Sequence, residues 1–341
     1  MTRTIPGLKD LAKALINNYN FSHTESLMYK KTSLVIASLL ISTQTFAANF
    51  YVASSGAGNS CIASNPCASI QTAVNIAGVN DTINIRKGKY IENITIPMGK
   101  DGLHIRGESR KNTFVISSGG DASPKQAPPG VPIDVVFDVF SSDVTIEKLT
   151  IQHPSGIATK RDLGVFVRPP AKNVTIQKTE INRNRSGLVL EPTAPGSRGV
   201  FVLRATGTTI TKNIISGNYE DHLHIPSSAT TITKNSVTDA KRVGIVIIQE
   251  NATSLSTNNI ITKNEVSNSG TDGIQIQGDN NIVAKNTVKN SSGVGIKLCG
   301  ASDCVAPGVT AVASYNSVVK NKVSNNVVGN IVDDGTNNSI E

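Results

Sequence analysis

Thr209-Ile210-Thr211-Lys212-Asn213-Ile214-Ile215-Ser216 returns 22 residues later as Thr231-Ile232-Thr233-Lys234-Asn235-Ser236-Val237-Thr238. It returns again as Ile260-Ile261-Thr262-Lys263-Asn264-Glu265-Val266-Ser267, and two further copies centre on Asn286 and Asn321. Three positions before the five asparagines stand Ile210, Ile232, Ile261, Val283 and Val318, and two positions after them Ile215, Val237, Val266, Val288 and Val323. Ten positions after them stand Leu223, Ile245, Ile274, Ile296 and Ile331. A fixed register of this kind is the mark of a repeat architecture.

The asparagines are separated by 22, 29, 22 and 35 residues, so a basic unit of 22 carries insertions in two of the intervals. Apolar residues alternate inside each unit, as in Ile245 and Ile247 or Ile274 and Ile276, which places them on the inner face of short strands. Short strands at a fixed period define an all-β fold, a single-stranded right-handed parallel β-helix, which grows by adding coils rather than cores. Weaker copies extend it upstream through Val174, Ile176 and Ile181, then Val144, Ile146, Leu149 and Ile151, to Ile83 and Ile85. An inward Asn at the same turn of each coil can satisfy buried backbone groups, so the Asn column reads as structural. The Gly column Gly187, Gly244, Gly273 and Gly295 reads as supplying turn conformations that other residues avoid.

Exposed strand edges at the end of a solenoid need a cover. Ser69-Ile70-Gln71-Thr72-Ala73-Val74-Asn75-Ile76-Ala77 reads as a short N-terminal capping helix with Ser69 near its start. At the other end Asp333 takes an aliphatic position, which predicts that the regular coils stop there. Lys30 and Lys31, the apolar run Leu34 to Ile41 and then Thr45-Phe46-Ala47-Ala48 follow the order of a secretory signal peptide. The expected organisation is therefore an upstream extension over 1–27, a signal peptide over 28–47 cleaved near Ala47, and a β-helix domain over 48–341. The apolar run is too short to span a bilayer, so the mature chain is expected to hold no transmembrane span and to be secreted, periplasmic or at the cell surface. The four cysteines form close pairs, Cys61 with Cys67 and Cys299 with Cys304, as expected of disulfides in an oxidising compartment. No histidine stands beside either pair, so no metal site is expected there.

Phe50-Tyr51-Val52-Ala53-Ser54-Ser55-Gly56, Pro66-Cys67-Ala68-Ser69-Ile70-Gln71-Thr72-Ala73, Asp81-Thr82-Ile83 and Gly88-Lys89-Tyr90 resemble the opening of secreted β-helix proteins of the pectate-lyase-like superfamily. The resemblance covers nearly the whole mature chain and implies the fold. It leaves activity open, because lyases, hydrolases, epimerases, tailspikes and adhesins share that fold.

Insertions expected at 191–207, 249–258 and 299–315 leave the coil around Leu223 as a notch between longer loops, where binding residues concentrate. That coil reads Glu220-Asp221-His222-Leu223-His224-Ile225. With Leu223 and Ile225 inward, alternation points His222 and His224 outward. Arg242 lies one coil along, and Asp272 and Gln275 two coils along, about 9.6 Å away at roughly 4.8 Å per coil. Removing a proton alpha to a uronate carboxylate needs a base and a cation, so Asp221, His222, His224 and Arg242 form the catalytic candidates, with Glu220, Asp272 and Gln275 beside them. Asp221-His222-Leu223-His224 is similar to the Asp-Pro-His-Asp motif of mannuronan epimerases but lacks its Pro and second acid. No cofactor is expected, and calcium in particular is unsupported, because no cluster of Asp on adjacent coils is visible.

A Lys precedes each repeat Asn: Lys212, Lys234, Lys263, Lys285 and Lys320, with Lys178 in a looser copy. Stacked in register they make a basic stripe on a chain of net charge +8. The expected partner is an acidic polysaccharide or cell-surface glycan. Nucleic acid is not expected, since only 4% of residues are aromatic and none is Trp, which leaves few stacking platforms. The leading expectation is an exported protein that binds, and cleaves or epimerises, an acidic polysaccharide; the rival is a non-enzymatic surface, adhesive or structural module.

Overall fold

The computed structural model describes residues 47–119, 133–153, 161–183, 197–217, 220–249, 256–301, 304 and 312–341. The expected upstream extension, 1–27, and all but Ala47 of the expected signal peptide, 28–47, lie outside them, as do parts of the expected insertions. Within the insertion expected at 191–207, however, Arg198–Val202 is a regular strand of the solenoid that pairs with Arg161–Val167 and Asp221–Ile225. Residues Ala47–Glu341 form one unit, built of three parallel sheets of 11, 9 and 9 strands. Each coil contributes one strand to each sheet in turn, and the eleven-stranded first sheet has an extra strand at either end, Asn49–Val52 and Ser339–Ile340.

Each coil therefore holds three strands. Thr209–Thr211 belongs to the first sheet and Ile214–Ser216 to the second, and only Lys212 and Asn213 separate them. Asp221–Ile225 then continues in the third sheet. Strands stack in unbroken register, Ile176 on Ile210, Ile232, Ile261, Val283 and Val318, so the aliphatic column of the sequence is an aliphatic stack in space. One continuous core runs the length of the solenoid, with Ile210, Ile215, Leu223 and Ile225 each fully buried.

The asparagines work as the repeat predicts. Asn264 Oδ1 accepts from Asn235 N and Nδ2, each at 3.0 Å, while its Nδ2 donates to Ile232 O at 2.9 Å. The same three bonds repeat at each rung from Asn213 to Asn321, except that Asn213 hands its oxygen to Thr179 N. A second ladder, Asn259, Asn281, Asn316 and Asn338, lines the corner between the third and first sheets with the same chemistry. Asn259, Asn281 and Asn316 stand five residues before Asn264, Asn286 and Asn321, and Thr208 and Thr230 hold the equivalent buried places upstream.

The glycine column has a different cause from the turn conformations expected of it. Gly244 and Gly273 have no left-handed backbone; a Cβ on Gly244 would come within 2.6 Å of Val266 Cγ1, and one on Gly273 within 2.3 Å of Val288 Cγ1. At these two glycines the position points at the core of the next coil, where there is room for hydrogen only. Gly187 lies outside the described residues.

Helix Ile70–Ile76 covers the N-terminal end, burying Ile70, Ala73 and Val74 in the core. The Ser69 hydroxyl accepts from Thr72 N, and Glu92 accepts from Ile70 N, Gln71 N and the Ser69 hydroxyl, so the free donors of the first turn are satisfied. Both expected disulfides form, Cys61–Cys67 and Cys299–Cys304. No described helix is long and apolar enough to cross a membrane.

Candidate functional site

At the corner between the first and second sheets, from the third coil onward, one residue per coil takes the left-handed conformation. In seven successive coils that residue is lysine: Lys148, Lys178, Lys212, Lys234, Lys263, Lys285 and Lys320, with φ between 52° and 59°. Each lysine N–H donates to a carbonyl of the next coil, Lys212 to Thr233 O and Lys234 to Thr262 O at 3.2 Å. Left-handed backbone costs an ordinary residue about 1–2 kcal/mol, a penalty that Asn and Asp soften with local side-chain hydrogen bonds. The other two corners mostly use those residues: Asp239, Asn268, Asn290 and Asn325 at one, and Asp143, Asn173, Asn258, Asn280 and Asn337 at the other, with Arg204, Ala229 and Tyr315 as exceptions. Backbone geometry therefore does not account for the lysines.

Lys178, Lys212, Lys234, Lys263, Lys285 and Lys320 are exposed and Lys148 is half-buried. Toward the N-terminal end the column opens into a groove of about 450 Å³ lined by Glu108, Ser109, Arg110, Lys148, Lys178 and Lys212. The groove exists because strands His104–Gly107 and Thr113–Ile116 are joined by the longer turn 108–112 rather than by a two-residue corner. Glu147 sits beside it, 3.9 Å from Lys178 Nζ and 3.4 Å from Arg106 Nε.

The residues expected to be catalytic lie on the third sheet, away from this corner. Asp221 Oδ2 accepts from His224 Nδ1 at 2.9 Å and also from Arg242 Nη2, while Arg242 Nε stands 3.5 Å from Glu220 Oε1. Burial would raise the Asp221 pKa, but the hydrogen bond and charge of His224, with Arg242 and Arg198, outweigh it and hold the carboxyl below its usual range. Arg198 Nη2 faces His224 Nε2 at 3.2 Å. Both ring nitrogens of His224 are thus engaged, Nδ1 by Asp221 and Nε2 by Arg198. Its ring meets Phe201 edge-on, and Phe201 stacks on Phe166 with centroids 4.6 Å apart. Arg198, which packs on the Phe201 ring, escaped the sequence reading because it stands outside the repeat motif.

His222 does not point outward. It occupies the glycine column, and its side chain turns into the corner to reach Thr238 O at 2.6 Å, fully buried. Desolvation pushes its pKa down to about 4, so it is a neutral structural donor. His224, only 3% exposed, is also more enclosed than alternation implied; Asp221, on the inward parity of Leu223 and Ile225, is 1% exposed, whereas the Arg242 side chain is 36% exposed. Asp272 stays apart from this group, accepting from Val294 N at 2.8 Å. Gln275 is buried two coils from His224 in the column His224, Val246, Gln275.

One acidic grouping corrects the reading that no Asp residues cluster. Asp134 and Asp162 pair in register on adjacent coils, and an oxygen of each lies with a ring nitrogen of buried His153 inside 4.8 Å. Ser117 and Asn93 donate to Asp134. Two carboxylates and an imidazole are a donor set that a divalent cation accepts, although calcium wants six to eight oxygens. The pair was hidden because these coils lack the Lys-Asn signature that sets the register.

Three parallel sheets wound into coils, with cations ranked along one corner, define a right-handed parallel β-helix with a polar outer surface. The chain belongs to the family described as right handed beta helix region, whose model matches residues 56–341. No curated protein matches it. Among solved structures it is similar to the Dettilon tailspike protein, at 17% identity over 74% of this chain and 50% of that one, with a TM-score of 0.51. The chain thus spans half the length of that tailspike. It is also similar to pectin methylesterase from carrot (13% identity, 87% and 90% covered, TM-score 0.54) and to a pectin methylesterase in complex with a hexasaccharide (14%, 84% and 93%, 0.53). At such identities the likeness establishes the fold.

Proposed function

We propose that this chain is an exported β-helix that binds an acidic polysaccharide along its lysine column. The observation that carries the reading is the choice of lysine for a left-handed position in seven coils, where the other corners mostly use Asn and Asp. Neighbouring ammonium groups about 5 Å apart repel by roughly 1 kcal/mol in water, a cost that adds to the backbone penalty. A bound polyanion reverses the sign of the electrostatic part. Two closed disulfides support an oxidising, extracytoplasmic location, and a pectin methylesterase of this fold seen with a hexasaccharide supports a glycan ligand. The test is retention of the purified protein on immobilised polygalacturonate or alginate against a neutral glucan, over a salt series. Retention on the acidic polymers that salt abolishes is expected; equal retention on the neutral glucan, or none on any, overturns the reading.

A second, enzymatic reading rests on Asp221, whose carboxylate holds both His224 and Arg242. It treats His224 as the base and Arg242 as the cation of a uronate lyase or epimerase, and it requires Arg198 to leave His224 Nε2 when substrate arrives. Growth of absorbance near 235 nm on polyuronates, with and without calcium, and its loss in His224→Gln would support it. A flat trace together with a negative epimerisation assay leaves the binding module alone.

A further inference from the structure

Resting on the acidic-glycan reading, we infer that the ligand is a linear polysaccharide with a carboxylate on every sugar. It lies parallel to the solenoid axis, one carboxylate per lysine, with one end seated in the groove closed by Arg110. The residues preceding six of the lysines, Gln177, Thr211, Thr233, Thr262, Ala284 and Val319, are stacked in register, so the column is straight. Successive coils are separated by roughly 4.8 Å, which makes the run from Lys148 to Lys320 about 29 Å long. The rigid spacing selects among polyanions. A pyranose unit linked across its ring advances its chain by about one coil, so a homopolyuronate brings one charge past each lysine, and the flexible lysine stems follow carboxylates that turn about the chain. A polymer with acidic and neutral sugars in alternation leaves every second lysine empty. Duplex DNA, with a charge every ~1.7 Å, overfills the track and finds few aromatic rings to stack on.

The track has a closed end. In the coil before Lys148 the turn 108–112 replaces the two-residue corner, and Arg110 joins Lys148, Lys178 and Lys212 around the groove with Ser109 and Glu108. Glu108 accepts from Lys87 N and Asn112 Nδ2, which ties it to the turn. Four cations against Glu108 in the groove and Glu147 beside it leave a net positive, widened corner that suits the terminal uronate of a chain that proceeds toward Lys320.

The experiment is calorimetric titration of the full protein with size-defined oligogalacturonates and oligomannuronates, from dimer to decamer. Affinity should rise about two- to threefold per added sugar, the weight of one exposed ion pair, and stop rising near the heptamer. Arg110→Gln should weaken oligomers of every length. Lys285→Asn, which suits the left-handed corner, should weaken the heptamer and leave the trimer unchanged. Affinity that follows total charge whatever its spacing, so that an alternating polymer or DNA of equal charge binds equally well, overturns the register while leaving acidic-glycan binding in place. Absence of binding to every acidic glycan overturns both.

Discussion

Lys263 and Asn264 are neighbours in the chain, recur with the same period and share one turn, yet they do opposite work. Asn264 turns inward and supports the chain with three buried hydrogen bonds to the preceding coil. Lys263 turns outward, exposed, and adds charge at a backbone position that favours other residues. Periodicity alone does not distinguish structure from function in a solenoid. Cost does: one column lowers the free energy of the fold, and its neighbour raises it.

The comparison can be broken most forcefully at the inner column. Asn264→Ala removes the acceptor of two donors on Asn235 and the donor to Ile232 O, and should destabilise the protein by roughly 3–5 kcal/mol. A lowered urea midpoint at unchanged slope would register it, and a change under about 1 kcal/mol would show the ladder to be ornamental.

His222 offers the next test. Its pKa is near 4 when folded against 6.5 for the free side chain, so below about pH 6.5 the unfolded chain binds a proton that the folded chain refuses. Stability is then highest at neutral pH and falls as pH drops from about 6.5 to 4, by roughly 3 kcal/mol in total. His222→Asn should flatten that part of the stability profile, read by denaturant melts at a series of pH values.

At the outer column Lys263→Gln should leave stability within about 0.5 kcal/mol and lower affinity for a long polyuronate by roughly two- to threefold. The smallest effect sharpens the contrast most. Lys263→Asn should raise stability by about 0.5 kcal/mol, since Asn enters the left-handed region more readily, while weakening polyuronate binding as much as Lys263→Gln does. A drop in stability on that change would mean the lysine serves the fold after all.

The aliphatic stacks, the first asparagine ladder, the capping helix and both cysteine pairs were legible because each rests on contacts between residues close in sequence or repeated at one spacing. The lysine column was legible for the same reason. What escaped was set by how coils meet. Two residues, Lys212 and Asn213, suffice to turn the chain between sheets, and neither is a Gly or Pro that would mark a strand end. Alternation with Leu223 and Ile225 predicts an outward His222, yet its column faces the neighbouring coil, as the crowding at Gly244 and Gly273 shows. Asp134 and Asp162 sit in coils whose repeat is worn, so their register existed only in space.

By itself the sequence determined the winding of this protein, because a solenoid repeats one local solution and each copy of Ile, Lys and Asn restates it. Tertiary structure decided which polar residues meet: Arg198 with His224, His222 with Thr238, Asp134 with Asp162, Arg110 with the lysine column. Those meetings depend on the path of the chain between coils and on the few cubic ångströms left beside a neighbouring side chain, and neither quantity has a period.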